Sequence, residues 1–339
     1  MSLFVFLALL QDGLTTGAIY LLLALGLLIV FSVTRVIFVP QGDLLALATL
    51  SVAQLQAGSV PGTVWLLDGL AVLALAADIL ACRGLPGWRV WAVRLLAPAA
   101  ITVGALFGPR AAPAFAMLLG IAIVAPLGPL IWRLVFRPAA DASVLTLLIL
   151  AMALHFVLAA AGLVMFGPEG STVPSLTTAS FTLGPLVVSG QSLSVLAVCA
   201  GLVALLRWFF GSTIEGKALR AAASDRLGAR LVGIDRARSG ALAFALAAVI
   251  AATSGVLIGA VTPIAYDTGF DIGLKGFVAA IIGGLVSYPA AAAGAILVGV
   301  LESLGSFWAS AYRDVIVFAL LIPALVVLSL RAGAAEDRA

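Results

Sequence analysis

The sequence predicts an all-α fold, a polytopic bundle of transmembrane helices, and three observations carry that expectation. Charge is scarce: 18 Lys and Arg plus 15 Asp and Glu make 33 charged side chains in 339 residues, where a soluble chain of this length carries about 85. Apolar residues make up 63% of the chain, and the mean hydropathy is +1.24. These residues fall into long runs, many near the roughly 20 residues that cross a bilayer as a helix. Such a composition excludes a water-soluble globule, a disordered chain and a basic surface for nucleic acid. The pI near 9.2 reflects a net charge of only +3, and that charge is local.

Candidate spans lie at about 13–33, 36–57, 63–81, 95–107, 112–133, 144–166, 191–210, 239–261, 273–287, 290–308 and 312–330. That is eleven, or as few as nine if the short segments 95–107 and 273–287 are re-entrant. Met1 to Leu10 is apolar but lacks a basic flank, so no cleaved signal peptide is read and the first span serves as the insertion signal. Basic residues orient the chain. The connection 207–238 holds Arg207, Lys217, Arg220, Arg226, Arg230, Arg236 and Arg238, which marks it as cytoplasmic. Arg133 and Arg137 mark a second cytoplasmic loop, and Arg83, Arg89 and Arg94 a third. The stretch 167–190 has no Lys or Arg and is expected outside, as a turn-rich connection through Gly167, Pro168, Gly170 and Pro174. The chain therefore reads as one transmembrane domain, 1–330, with an outside N-terminus and a cytoplasmic tail, 331–339, that carries Arg331 and Arg338.

Within the spans, small and polar residues are informative. Ala243, Ala247, Ala251, Gly255 and Gly259 recur at every fourth position, a stripe that brings helices close in lipid. Ionisable groups at membrane depth are costly and mark pathways; Asp43, Asp68, Asp78, His155, Asp271, Lys275 and Glu302 are the candidates. Asp68 and Asp78, near the two ends of one span, suit interfacial solvation. His155, the only histidine, suits a hydrogen-bonded packing role, and Lys275 suits local pairing with Asp267 and Asp271. Two stretches look like broken helices, Val39 to Asp43 through Pro40 and Gly42, and Ile282 to Pro289 through Gly283 and Gly284; either could equally be a turn between helices. Cys82 and Cys199 lie far apart in apolar surroundings and suggest neither a disulfide nor a metal site.

The basic loop 211–238 carries the sharpest signal. Gly211 to Lys217 matches the start of a phosphate-binding loop, GxxxxGK, but Ala218 supplies no hydroxyl for magnesium and a membrane helix precedes it. A short amphipathic helix fits better, with Leu219, Ala223, Leu227 and Leu231 as one apolar stripe, weakened at Gly228 and stopped at Gly233. Physics alone allows a helix lying on anionic lipid or one that docks a cytoplasmic partner.

The stretch Gly216 to Asp225, followed by Ala229 to Ile234, resembles the permease subunits of LIV-type ABC importers, which handle branched-chain amino acids and related compounds. Gly13 to Tyr20 with Ala24 to Gly26, Phe136 to Pro138, Gly167 to Glu169, Lys275 to Pro289, Gly299 to Gly305 and Tyr312 to Asp314 are similar to further stretches of that family. The resemblance covers about 1–56 and 130–330 and leaves 58–112 as extra spans of unknown role. It implies that 211–238 is a coupling loop seated on separate ATPase subunits, with Gly216, Lys217, Arg220, Asp225, Arg230 and Gly233 as its matching residues. Gln41, Gly42, Asp43, Lys275, Gly283, Gly284 and Glu302 are the candidates for the substrate pathway or its gating. The expected partners are a homologous second permease subunit, two cytoplasmic ATPases, an external solute-binding protein and membrane lipid, with no nucleic acid. No cofactor is expected in this chain, since ATP and magnesium would sit on the ATPases, and the chain would be non-catalytic in a bacterial inner membrane. The sequence departs from the family where Phe38 and Gln41 replace an asparagine and a histidine, and where Ala153 stands at a frequent glycine. A stand-alone ion-coupled transporter, with Asp43, His155 and Glu302 as relay groups, is the alternative. A membrane enzyme would need more converging polar residues than the spans contain.

Overall fold

The computed structural model describes residues 3–82, 96–107, 112–177, 179–183, 186–285 and 287–326. The basic loop with Arg83, Arg89 and Arg94, the Cys82 side chain and the tail 331–339 lie outside the described residues. The first apolar stretch is one helix, α1 (Leu3–Thr34), that begins ten residues before the predicted start at 13 because Leu3 to Leu10 continues it. At 1.5 Å per residue it is about 48 Å long, and from Gly17 onward most of it is buried.

The chain then leaves helix at the end of α1 and turns back into the bundle. Arg35 takes a φ of 63°, residues 35–40 are non-helical, and α2 (Gln41–Gln56) follows. Gln41 Nε2 donates to the Leu23 carbonyl at 3.1 Å, a level about 16 Å back from the end of α1 at the same rise. The predicted span 36–57 is thus an extended return plus a half-length helix. Irregular backbone there is covered by protein, as it must be: Phe38 is fully buried and packs on Phe244 at 4.7 Å and Phe136 at 6.1 Å. Phe38 therefore belongs to an aromatic core cluster.

The next helices are α3 (Gly62–Cys82) and α4 (Ala97–Phe107), then α5 (Pro113–Val124) and α6 (Leu127–Ile131). After Pro126 the chain continues through a π-turn, Trp132–Phe136, so 113–136 is one apolar span. α7 (Val144–Phe166) is capped by Ser143, whose hydroxyl accepts from the Thr146 N–H. A small antiparallel hairpin, β1 (Ser180–Leu183) with β2 (Leu186–Ser189), fills part of the connection expected outside. α8 (Gly190–Ser212), α9 (Ile214–Ser224), α10 (Arg226–Leu231), α11 (Arg236–Gly259), α12 (Thr268–Ile282), α13 (Tyr288–Trp308) and α14 (Arg313–Ala319) complete the order. Among the described residues, seven helices are long and apolar enough to cross a membrane: α1, α3, the one spanning 113–136, α7, α8, α11 and α13. α4 has 11 residues and rises only about 16 Å, too short to cross. α12 starts at Thr268 and stops at Ile282, shifted toward the N-terminus from the expected 273–287. Of the predicted span 312–330, helix is described for 313–319 and 321–326.

Glycines set the helix spacing. A Cβ on Gly17 or Gly299 would meet the backbone of the other helix of the α1–α13 pair, and Gly13 faces Val300 in the same seam. Gly42 on α2 abuts Gly269 and Gly273 on α12 backbone to backbone. The small-residue stripe of α11 is buried as expected, with Gly255 against Leu45 and Thr49 of α2. Thr49 also donates to the Gly255 carbonyl at 2.7 Å. The segment 58–112 is held by a polar contact within it and by another to the helix that follows. Asp68 accepts from Thr102 at 3.0 Å, and Asp78, which is buried rather than solvated, pairs with Arg133.

Crowding at these glycines is testable. Gly269→Val places methyls against the Gly42 carbonyl and should cost about 1–3 kcal/mol, lowering the thermal unfolding midpoint in detergent. Gly201→Ala, with open space around it, should leave the midpoint unchanged or slightly raised.

Candidate functional site

The candidate residues separate into three places. The first is the start of α2. Asp43 is buried, and both its carboxylate oxygens lie 2.9 Å from Nδ1 of His155 on α7. The imidazole also stacks on Phe270 of α12, with ring centroids 4.2 Å apart and planes at 22°. His155 is hydrogen-bonded, as its sequence context suggested, but its partner comes from 112 residues away. Gln41 is buried beside it in sequence, and its Oε1 has no hydrogen-bond partner among the described residues. Gln41 lines a void of about 10 Å³ with Leu23, Phe38 and Gly273.

The second place joins α1, α12, α13 and α14. Lys275 Nζ lies 2.5 Å from Glu302 Oε1 and 3.0 Å from Asp314. The Tyr20 hydroxyl donates to Glu302 Oε2 at 2.5 Å. Arg313 Nε sits 3.7 Å from Glu302 and 3.6 Å from Asp314. Lys275 and Glu302 are both buried. The expected pairing of Lys275 with Asp267 or Asp271 is replaced by one with a facing helix, because a helical turn points Lys275 inward, where its charge needs a buried counter-charge. In an antiparallel pair such as α1 and α13, side chains lean toward their own N-termini and so toward each other. That lean lets Tyr20 reach Glu302 across the glycine seam.

Gly283 and Gly284 lie apart from both groups, in the turn between α12 and α13. Gly284 has a φ of 65°. Its N–H reaches the Ile281 carbonyl at 2.7 Å, and the Leu285 N–H reaches Ala280 at 3.0 Å. This is the paired bonding of a glycine-terminated helix. Ser287 and Pro289 then start α13.

The third place is the basic loop. The expected single helix is two, because Asp225 takes an extended conformation and its carboxylate accepts from the N–H groups of Leu227 at 2.9 Å and Gly228 at 3.0 Å. An Asp in that position starts a new helix. The predicted stripe splits accordingly: Leu219 is buried while Leu227 and Leu231 are exposed. Gly216 accepts no side chain, since a Cβ would meet the Phe209 backbone, and the Thr213 hydroxyl caps α9 by accepting from the Gly216 N–H. Gly233, with a φ of 85°, ends α10 as expected. Lys217, Arg220 and Arg230 are exposed. The element is anchored by Arg226, which donates to the Val33 carbonyl at the end of α1 at 3.2 Å. Arg238 binds Glu215 at 2.5 Å, and Arg236 binds Asp141 at 2.5 Å.

Tyr20, Arg313 and Asp314 complete the second place and were not singled out as site residues, although Tyr20 and Tyr312 to Asp314 fall in stretches similar to the family. Gly269 and Gly273 were also missed; their four-residue spacing was the available signal.

Two outcomes follow from this geometry. His155→Leu leaves the Asp43 carboxylate buried without its partner and should cost about 3–5 kcal/mol. The double variant with Asp43→Asn should lose less than the sum of the singles in thermal denaturation. At the loop, the hydrogen bond and charge of Arg236 hold the Asp141 carboxyl below the ordinary carboxylate range. The contact is therefore complete above that range and released as pH falls through the lowered value. Hydrogen exchange over 137–143 should show this acid release, and Asp141→Asn should abolish it.

Comparison with known proteins agrees with this architecture. The family described as branched-chain amino acid transport system / permease component matches residues 9–325. The high-affinity branched-chain amino acid transport system permease protein LivH of Escherichia coli is 33% identical over 215 residues, covering 61% of this chain and 70% of LivH. LivH of Salmonella typhimurium matches to the same extent. The permease protein BraD of Pseudomonas aeruginosa is 27% identical over 328 residues, covering 94% of this chain and 92% of BraD. A match over nearly the whole length places the chain in one family: it belongs to the permease components of branched-chain amino acid transport systems.

Proposed function

We propose that this chain is the membrane-spanning permease subunit of an ABC importer in a bacterial inner membrane, carrying branched-chain amino acids or related small polar compounds. Separate ATPase subunits would drive it, a homologous second permease subunit would complete the passage, and an external solute-binding protein would deliver the cargo. The observation that carries this reading is the element α9–α10. It presents Ile214, Leu227, Leu231 and Val232 as exposed apolar side chains among Lys217, Arg220 and Arg230. A stably capped, anchored element with an uncovered apolar surface at the end of a bundle suits docking on a second protein.

Its anchors explain how force would pass. Arg226 ties α10 to the end of α1, Arg238 ties α9 to α11, and Arg236 ties α11 to the loop after the π-turn. Displacing α9–α10 would therefore act on α1 and α11 together. The pathway would run past Lys275 and Glu302, with Gln41, Gly42 and Asp43 at the start of α2 and Gly283 and Gly284 as a turn on which α12 and α13 pivot. Gly216, Asp225 and Gly233 give the coupling element its shape, and Lys217, Arg220 and Arg230 give it its charge.

The reading is tested in proteoliposomes that contain the assembled transporter. Arg220→Glu should reverse the charge of the docking face and reduce uptake at least about tenfold. Asp225→Ala should remove the cap of α10, costing about 1 kcal/mol, and uncouple uptake from ATP hydrolysis. Normal uptake and unaltered ATPase stimulation in both variants would contradict the coupling assignment.

A further inference from the structure

A cavity of about 320 Å³ opens at the end of the bundle away from α9 and α10. α1 lines it from Asp12 to Tyr20, whereas α10 is tied to the C-terminal end of α1 at Val33. Its volume falls in the range of small-molecule sites. A buried ion pair on its wall is Lys275–Glu302, with only 5% and 8% of each residue exposed. The four charges in contact balance, Lys275 and Arg313 against Glu302 and Asp314, and Asp12, which accepts from the Ser303 hydroxyl at 3.1 Å, adds a further carboxylate to the wall. The hydroxyl of Tyr20 takes the second oxygen of Glu302. Asp271 lines the same cavity and has no hydrogen bond or ion pair among the described residues.

A buried ion pair is hard to separate, because each freed charge must find another partner. A neutral ligand offers neither charge. A carboxylate alone satisfies Lys275 and leaves Glu302 with only the Tyr20 hydroxyl and the more distant Arg313, and an amine alone satisfies Glu302 and leaves Lys275 with only the half-exposed Asp314. A zwitterion meets both charges and brings no net charge into the low-dielectric floor. We propose that the Lys275–Glu302 pair is a gate at the floor of this cavity that a zwitterionic ligand opens, its carboxylate taking Lys275 and its ammonium taking Glu302. Asp271 holds the ammonium on approach, and Tyr20 keeps Glu302 oriented while Lys275 exchanges partners. This inference rests on the permease reading above and assigns that reading's cargo a headgroup and a first contact in the membrane.

The test is equilibrium binding to the full chain in lipid nanodiscs, read by ligand-observed magnetic resonance without ATP or ATPase subunits. Leucine is compared with isocaproate, isopentylamine and isocaproamide, which keep its branched carbon skeleton but are anionic, cationic and neutral. Leucine should bind at least about tenfold more tightly than each of the three, a difference of about 1.4 kcal/mol. The paired variant Lys275→Gln with Glu302→Gln should lose that preference, and the exchanged pair Lys275→Glu with Glu302→Lys should keep it, which separates the effect from misfolding. An analogue binding within tenfold of leucine, no measurable leucine binding, or an intact preference in the Gln pair would overturn the gate. Because the assay holds no ATPase, its failure leaves the coupling reading standing, and a chain that binds leucine but assembles with no ATPase would overturn that reading alone.

Discussion

Backbone contact at glycine is the constraint on which the rest of this structure depends. In lipid the helices gain little by hiding apolar surface from one another, so they are held by close packing and polar contacts. Gly17 and Gly299 bring α1 and α13 together, Gly42 meets Gly269 and Gly273 between α2 and α12, and Gly255 meets α2 from α11. Each of these seams places a polar group within reach of a partner. Tyr20 meets Glu302 across the first seam, Phe270 meets His155 beside the second, and Thr49 meets the Gly255 carbonyl at the third.

The same close approach explains why charge is tolerated inside so apolar a chain. Lys275, Glu302, Asp43 and His155 are buried, and each has a partner at hydrogen-bond distance. The partners arrive from distant parts of the sequence, because packed helices bring together side chains that lie far apart along the chain. Basic residues gather at one end of the bundle, where Arg226, Arg236 and Arg238 are anchors and Lys217, Arg220 and Arg230 stay exposed.

Much of this was legible in the sequence. Apolar runs gave the helices, the Ala243–Gly259 stripe gave a packed face, and Pro40 with Gly42 gave the break before α2. The break's geometry was hidden, because only the position of Leu23 in space shows that the chain returns alongside α1. The basic loop was legible as an amphipathic element, but its division was not: helix periodicity continues through Asp225, and only the competition of that carboxylate for the Leu227 and Gly228 N–H groups ends α9. Lys275 and Glu302 were each visible as costly charges. Their pairing was not, since Asp271 lies one turn from Lys275 in sequence and Glu302 lies on another helix. Asp78 was read as solvated because it sits near a span end, and its pairing with Arg133 depends on the π-turn that positions Arg133.

On the proposed function, this chain moves cargo only when ATPases act on α9 and α10. The most direct measurement compares uptake by proteoliposomes holding this chain alone with uptake by those holding the chain assembled with its second permease subunit, ATPases and binding protein. Uptake should require the complete assembly and ATP, and a proton or sodium gradient across the chain alone should drive none. Gradient-driven accumulation by the isolated chain would contradict it and establish the Asp43, His155 and Glu302 groups as relays of a self-sufficient carrier.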